Sequence, residues 1–325
     1  MHGLETLRTY FNRALDQEKF LKAPEGLYEP IEYTLDLGGK RLRPALCLAA
    51  CELFSGTLSD ALNAAIGLEL FHNFTLLHDD IMDESPIRRG KPTVYKKWDS
   101  SRAILSGDTM FAKAYEYIGK VDKEKLPEVH QLFTKTAIEV CEGQQFDMEF
   151  EDRAAVAKDE YLEMIRLKTA VLLAASLRIG AVIGDASHED AERIYRFGEN
   201  LGMAFQLKDD LLDAYADQEK FGKKTGNDIV TNKKTYLIIT ALEKANEQVK
   251  TRLLELYSSS SKIEKEEKVN EVLAIFDKLQ IKAITEEAIM DYQRKAIEEL
   301  EAINMSGSRK GTLLAIADYL NKRET

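Results

Sequence analysis

Residues 71–89, FHNFTLLHDDIMDESPIRR, lead from an apolar approach into Asp79, Asp80 and Asp83, then into Pro86, Arg88 and Arg89. On a helix turning about 100° per residue, Asp79 and Asp83 lie roughly 40° apart on one face, one turn from each other. Like charges at that spacing repel and destabilise a helix. A cation is therefore expected among them when the protein works, and oxygen-only ligands point to a hard divalent metal. The pattern returns at residues 205–217, FQLKDDLLDAYAD, where Asp209, Asp210 and Asp213 repeat the DDxxD spacing. One acidic triple on a helix is an ordinary solvated face. Two of identical spacing, each behind an apolar turn, call for paired charge, because a partly buried carboxylate is costly without it.

Outward from these stretches the chain reads as helix after helix. All six prolines lie at or before Pro127, and the long tract that follows is rich in Ala, Leu, Glu and Lys. Helix interiors exclude proline, so the class is all-α. No apolar/polar alternation and no hairpin turn pair stands out. Helices are expected over residues 4–20, 29–37 and 43–54, and from Ser59-Asp60 towards Pro86. Others are expected from Asp99 or Ser100 through Tyr117, from Pro127 towards Phe150, and from Asp159 through Thr169. Ser187 to Gly198 and Gly202 to Ala214 read as two more, followed by 235–250, 264–300 with breaks, and 312–323. No segment has the character of an interdomain linker, so residues 1–325 are expected to form a single domain.

The formal net charge of −11 argues against a broad nucleic-acid surface. A hydrophobic content of 44% suffices for a sizeable core. Cys47, Cys51 and Cys141 form an odd set without metal-site companions and read as reduced, mostly buried thiols of a cytoplasmic protein. The start lacks the features of a secretory leader, and no integral membrane segment is expected, since the apolar run 170–184 is interrupted and short.

Carboxylates without His or Cys clusters suit Mg²⁺, which keeps waters and uses one or two carboxylates plus substrate phosphates. The basic residues agree. GGKRLRP, residues 38–44, puts Lys40 and Arg43 at a helix start, where backbone N–H groups also favour anions. Arg88 and Arg89 offer forks suited to diphosphate oxygens, and a third group, Lys223, Lys224, Lys233 and Lys234, follows the second acidic motif. Separate basic clusters suggest two separate diphosphates.

GGKRLRP, LLHDDIMDESPIRRGKPT, the pair Lys168-Thr169, FQLKDDLLD, the lysine loop and the closing LLAIADYL occur in the order seen in all-trans polyprenyl diphosphate synthases. The chain resembles that family, of the short-chain farnesyl/geranylgeranyl type, over nearly its whole length. The resemblance implies a single large helical bundle of the isoprenoid synthase type with a central active-site cavity, acting as a homodimer without nucleic acid. It implies an Mg²⁺-dependent prenyltransferase, in which an allylic diphosphate (dimethylallyl, geranyl or farnesyl) ionises and is attacked by the double bond of isopentenyl diphosphate. Carried over residue by residue, Asp79 and Asp83, with Asp209 opposite, resemble the Mg²⁺ ligands. Asp80, Asp210 and Asp213 resemble supporting members of the metal site. Lys40, Arg43, His72 and Arg89 resemble the isopentenyl diphosphate site, and Arg88, Lys168, Lys223 and Lys233 the allylic diphosphate grip. Thr169 and Gln206 resemble residues whose dipoles stabilise the developing cation. Asn232 is a departure, because the family often has Gly before the lysine.

The helix upstream of Asp79 is expected to line the pocket into which the product grows. Phe74 and Thr75 lie five and four residues before Asp79, and Phe71 one turn deeper. Bulk at Phe74 resembles the floor of enzymes making C15 to C20 products, with C20 favoured. Two other readings compete. A terpene cyclase also ionises a diphosphate but needs neither the second DDxxD nor Lys40, Arg43 and His72. A regulatory subunit of a heteromeric synthase is expected to have lost site residues, and none is lost here. His78, beside Asp79, reads as structural.

Overall fold

A computed structural model describes residues 2–216, 226–258 and 263–322. Its order is α1 (Leu4–Leu15), α2 (Glu25–Asp36), α3 (Leu42–Leu53), α4 (Leu58–Met82), a hairpin of β1 (Ile87–Arg88) and β2 (Lys91–Pro92), α5 (Val94–Lys97) and α6 (Ser100–Ile118). Then come α7 (Leu126–Asp152), α8 (Lys158–Ile165), a π-helical turn (Arg166–Ala170), α9 (Val171–Ile183) and α10 (His188–Tyr215). The chain closes with α11 (Asn227–Val230), α12 (Tyr236–Lys244), α13 (Glu247–Leu256), α14 (Lys265–Lys278), α15 (Ile281–Ala302) and α16 (Gly307–Asn321). The class is all-α, as the sequence implies. Among the described residues no helix is long and apolar enough to cross a membrane.

The differences from expectation are local. α4 starts after Thr57 rather than Ser59, and Thr57 N–H donates to Asp60 Oδ2 at 2.8 Å, the returning arm of a capping box. α10 runs unbroken through Gly198 and Gly202, where the sequence suggests two helices. The expected 235–250 helix breaks at Asn246, whose side-chain oxygen accepts from Val249 N–H at 3.0 Å and begins α13. The hairpin, α9 and the short α5 and α11 are not foreseen in the sequence. Ile87 faces Pro92 and Arg88 faces Lys91, with positive φ at both Arg89 (53°) and Gly90 (75°). That is the geometry of a primed two-residue turn. Strands of two residues are too short to show an alternation.

The chain groups into two compact units. The first comprises Met1–Thr134, Ala175–Glu192 and Asn304–Ala315. Its axis is α4, which packs on α3 and α6 and is buried on every side, from Ala61 and Ile66 through Leu70 and Phe71 to Leu77. A helix buried all round carries polar residues inside only where they are paired, and α4 buries Glu69, Asn73 and Asp80. The second unit comprises Lys135–Ala174, Arg193–Ile303 and Ile316–Thr325. Its core gathers Phe150, Tyr161 and Met164 with Leu207 and Leu211 of α10, Tyr236 and Leu237 of α12, and Phe276 and Ile289. Full burial of each such side chain contributes about 1.5–3 kcal/mol.

Candidate active site

In the first unit the end of α4 brings its three carboxylates to different fates. Asp80 turns inward and is 5% exposed. Arg88, on β1, donates to Asp80 Oδ1 from Nε and Nη2, both at 2.8 Å, and its Nη2 lies 3.7 Å from Asp79 Oδ2. Asp83 is the C-cap of α4 and exposed. Arg89 Nη1 donates to the carbonyl of Gly38, which brings the hairpin turn onto the GGKRLRP loop. Arg43 Nη1 donates to His72 Nε2 at 3.1 Å, so two residues expected at one diphosphate meet. Lys40 is exposed beside them.

Behind the carboxylates stands an aromatic wall. Phe74 stacks on Phe111 of α6 at 5.0 Å with 18° between the rings, and Phe71 touches both Phe111 (5.6 Å) and Phe133 (5.4 Å). Tyr115 closes the set against Phe111 and Phe133. Thr75 is turned aside, its hydroxyl donating to the His72 carbonyl at 2.8 Å. His78 sets its ring edge-on to Phe74 and holds the Ile104 carbonyl at 3.2 Å through Nε2, a structural use.

In the second unit Lys168 and Thr169 ride on the π turn, a form that recurs at functional sites. Two glycines let neighbouring helices approach it. A Cβ at Gly143 of α7 would lie 2.3 Å from the Lys168 nitrogen, and one at Gly202 of α10 would lie 2.6 Å from the Ala170 Cα. Lys168 Nζ donates to Asp147 Oδ2 at 2.6 Å, and Lys233 Nζ stands 3.6 Å from the same oxygen. Thr169 Oγ1 donates to Gln206 Oε1 at 3.0 Å, and Gln206 Nε2 donates to Asp210 Oδ1 at 3.1 Å. The Tyr161 hydroxyl donates to Asp210 Oδ2, and Asp210 is 6% exposed. Asp213 Oδ2 accepts from Asp228 N–H at 2.9 Å. Asp209 is half-buried on α10. Lys223 and Lys224 lie outside the described residues.

The sequence matches the polyprenyl synthetase family over residues 24–276. The chain belongs to that family. It is 40% identical to the geranylgeranyl diphosphate synthase of Methanosarcina mazei, over 97% of this chain and 95% of that protein. A crystal structure of a geranylgeranyl pyrophosphate synthase covers 100% of both chains at 44% identity and a TM-score of 0.95. A polyprenyl synthase from Caulobacter crescentus CB15, solved in complex with calcium and isoprenyl diphosphate, covers 99% of this chain and 96% of its own at 27% identity and a TM-score of 0.87. This polyprenyl synthetase is thus a prenyl-transferring enzyme.

The electrostatics of the polyprenyl synthetase follow from burial. Burial pulls the Arg43 guanidinium down to about 10 against the opposing pull of Glu69. Burial, then Arg43, holds His72 well below the usual imidazole range, so its Nε2 is free of a proton and accepts from Arg43. Asp80 is raised by burial, with Arg88 opposing. Asp210 is pushed up to about 7 by burial and then by Asp228, with the Tyr161 and Gln206 donors and the Lys233 charge only partly offsetting. Burial also raises Asp147, but Lys233 and Lys168 outweigh it and hold that carboxyl below its ordinary value.

Among the described residues no three His, Cys, Asp or Glu side chains are gathered tightly enough to hold a metal alone. The donors on α4 and α10 are carboxylates only, which fits a hard cation completing its shell with water and substrate phosphate. Sequence reasoning missed Asp147, Tyr161, Asp228 and Phe111. Each is a lone residue outside any motif and gains its role only through a partner distant in the chain. The Asn232 departure is accommodated. Asn232 takes positive φ (62°), which Asn tolerates, and its Oδ1 accepts from the buried Lys268 at 2.5 Å, which fixes the turn leading to Lys233.

Proposed function

We propose that this polyprenyl synthetase joins isopentenyl diphosphate to an allylic diphosphate and releases a short all-trans prenyl diphosphate of C15 to C20, with C20 favoured. The supporting observation is that its cations fall into two sets with different partners. Arg43, bonded to the neutral His72, and Arg89 meet at the GGKRLRP loop, whereas Lys168 and Lys233 share Asp147. A cyclase, with one diphosphate to bind, does not need both.

In this reading the C–O bond of the allylic diphosphate breaks and its electron pair leaves with the diphosphate. The isopentenyl π electrons form the new C–C bond, and a proton lost from the adjacent carbon goes to the released diphosphate. Asp79, Asp83 and Asp209 are the residues that would hold Mg²⁺, which would supply charge neutralisation to the leaving diphosphate. Lys168 and Lys233 grip the allylic diphosphate, with Lys223 and Arg88 as further members. Lys40, Arg43, His72 and Arg89 hold isopentenyl diphosphate. Tyr161, Asp210 and Gln206 form a relay that fixes the direction of the Thr169 hydroxyl. With its O–H directed at Gln206 Oε1, that oxygen keeps its lone pairs for the carbocation. Asp80 and Asp213 act as supports through Arg88 and Asp228. Phe71, Phe74 and Thr75 set product length, with Phe111 behind Phe74.

Residues 1–325 are proposed to act as one catalytic domain, because the single family match over residues 24–276 draws on both units. The enzyme is proposed to be a homodimer, supported by the exposed Ile104 (45%) and Leu105 (58%) on α6. Three free thiols suit the reducing cytoplasm. The test is incubation with labelled isopentenyl diphosphate, Mg²⁺ and each allylic primer, followed by sizing of the products. No incorporation with any primer sinks the reading, and cyclised hydrocarbon would replace it with a cyclase.

A further inference from the structure

Arg41 lies between Lys40 and Arg43 but points the other way. As the N-cap of α3 it takes a left-handed backbone, φ 45° and ψ 38°, unusual for a residue with a side chain. That geometry drives its guanidinium inward, where it is 6% exposed. Nη1 donates to Glu69 Oε1 at 2.6 Å, and Nη2 donates to the Leu35 carbonyl at 2.7 Å. Leu35 sits in the last turn of α2, and its carbonyl also accepts from Gly38 N–H at 3.2 Å. One guanidinium thus ties the end of α2, the start of α3 and the middle of α4.

Glu69, 2% exposed, is the counter-charge for more than Arg41. It is also the leading favourable charge on Arg43 and on Arg89. Asn73, one turn along α4, donates to the Glu69 carbonyl at 2.8 Å and to its Oε1 at 3.2 Å. The Asn73 Oδ1 is buried with no hydrogen-bond partner among the described residues. Asn73 lines a cavity of about 10 Å³ together with Asp80, Arg88 and Arg89. That is room for one water, which would link Asn73 to the arginine pair. From the outer side Arg89 holds the Gly38 carbonyl, and a Cβ at Gly39 would lie 2.8 Å from its Nη2. The loop carrying Lys40 is therefore gripped from two sides.

We propose that Arg41 and Glu69 form a buried positioning pair that presets the isopentenyl diphosphate half of the site, an inference that rests on the function proposed above. The pair aims the loop so that Lys40 stands exposed and Arg43 reaches His72. Glu69 also lets three arginines stand together without substrate. Neither residue touches the substrate. A pair that only stabilised the fold would be replaceable by apolar residues of similar volume, because a buried ion pair gives little net stability over such a replacement.

The experiment compares wild type with Glu69→Gln, Arg41→Lys and the double variant Arg41→Met/Glu69→Met. Calorimetry measures the Kd for isopentenyl diphosphate and for geranyl diphosphate, beside thermal melting. The double variant and Glu69→Gln are expected to weaken isopentenyl diphosphate binding roughly tenfold or more, as misplaced binding groups do. Binding of geranyl diphosphate is expected to stay within about twofold, and Arg41→Lys to recover part of the loss. The double variant is expected to melt close to wild type. Wild-type affinity for isopentenyl diphosphate in the double variant, or equal weakening of both ligands, overturns the proposal. Label incorporation by the wild type separates the two failures. An inactive wild type sinks the proposed function and this inference with it, whereas an active wild type with indifferent variants sinks this inference alone.

Discussion

Asp79-Asp80 and Asp209-Asp210 open motifs of the same spacing, yet their middle carboxylates live in opposite surroundings. Both are buried, at 5% and 6% exposure. Asp80 receives two bonds from one guanidinium, a full countercharge. Asp210 receives a phenol and an amide, which are neutral donors, while Asp228 adds repulsion. Burial disfavours the charged form in both, but only the first is hydrogen-bonded to a cation, the Lys233 charge being a smaller opposing influence on Asp210. Identical spacing therefore does not mean identical electrostatics. Asp80 is paired with a cation before any metal arrives, whereas burial and Asp228 push Asp210 up to about 7.

The outer carboxylates should break this comparison, since the proposed function gives them one task. Asp79→Asn and Asp209→Asn are each expected to lower kcat on the order of a thousandfold. Label incorporation at saturating Mg²⁺ checks both, and a large loss at only one position would show that the motifs share spacing alone. The supports should then differ in stability. Arg88→Met leaves Asp80 as an unpaired buried carboxylate and should cost roughly 3 kcal/mol. Tyr161→Phe removes one neutral donor from Asp210 and should cost about 1–2 kcal/mol. Urea unfolding of the two variants decides, and equal costs would argue that Arg88 is not compensating Asp80.

Stability against pH sharpens the contrast further. The Asp210 pKa is raised when folded, to about 7, from about 3.9 in the unfolded chain. The folded state then binds the extra proton, so this contribution is fully present below the unfolded value and is lost as pH rises towards 7. The slope is about −1.4 kcal/mol per pH unit inside that window. Asp210→Asn should remove it in melts of chelator-treated protein between about pH 5 and pH 8. The Asp228, Tyr161 and Lys233 groups facing Asp210 remain and set the residual slope. Asp80→Asn should change the slope less, because Arg88 opposes burial there. A larger change at Asp80 would reverse the assignment. The smallest effect on rate is expected at the aromatic wall, a feature of the first motif's helix. Phe74→Ala should lengthen the products while kcat stays within about threefold, and chain length unchanged on chromatography would remove Phe74 as a floor.

Much of this was legible in the order of residues. Helix class follows from where proline is absent, and the acidic and basic stretches stand out because their members are neighbours in the chain. What was not legible depends on partners far apart. Gly202 looks like a helix breaker until Ala170 is seen against it, and then it is the reason α10 can pass the π turn. Asp147 is one acid among many on α7 until Lys168 and Lys233 reach it. Asn246 and Asn232 are both turn formers by type, but only the packing tells which one starts a helix and which one receives a buried lysine.

By itself the sequence determined the helical class, the two DDxxD motifs, the basic clusters and the kind of metal that carboxylates accept. All of these rest on local spacing and on the chemistry of single side chains. Only the tertiary structure decided which carboxylates are answered by charge and which by neutral dipoles. It also decided that Arg41 turns inward to Glu69 while Arg43 reaches His72 and Lys40 stays exposed. Desolvation and pairing are properties of what surrounds a residue, and in a folded chain those surroundings come mostly from elsewhere in the sequence.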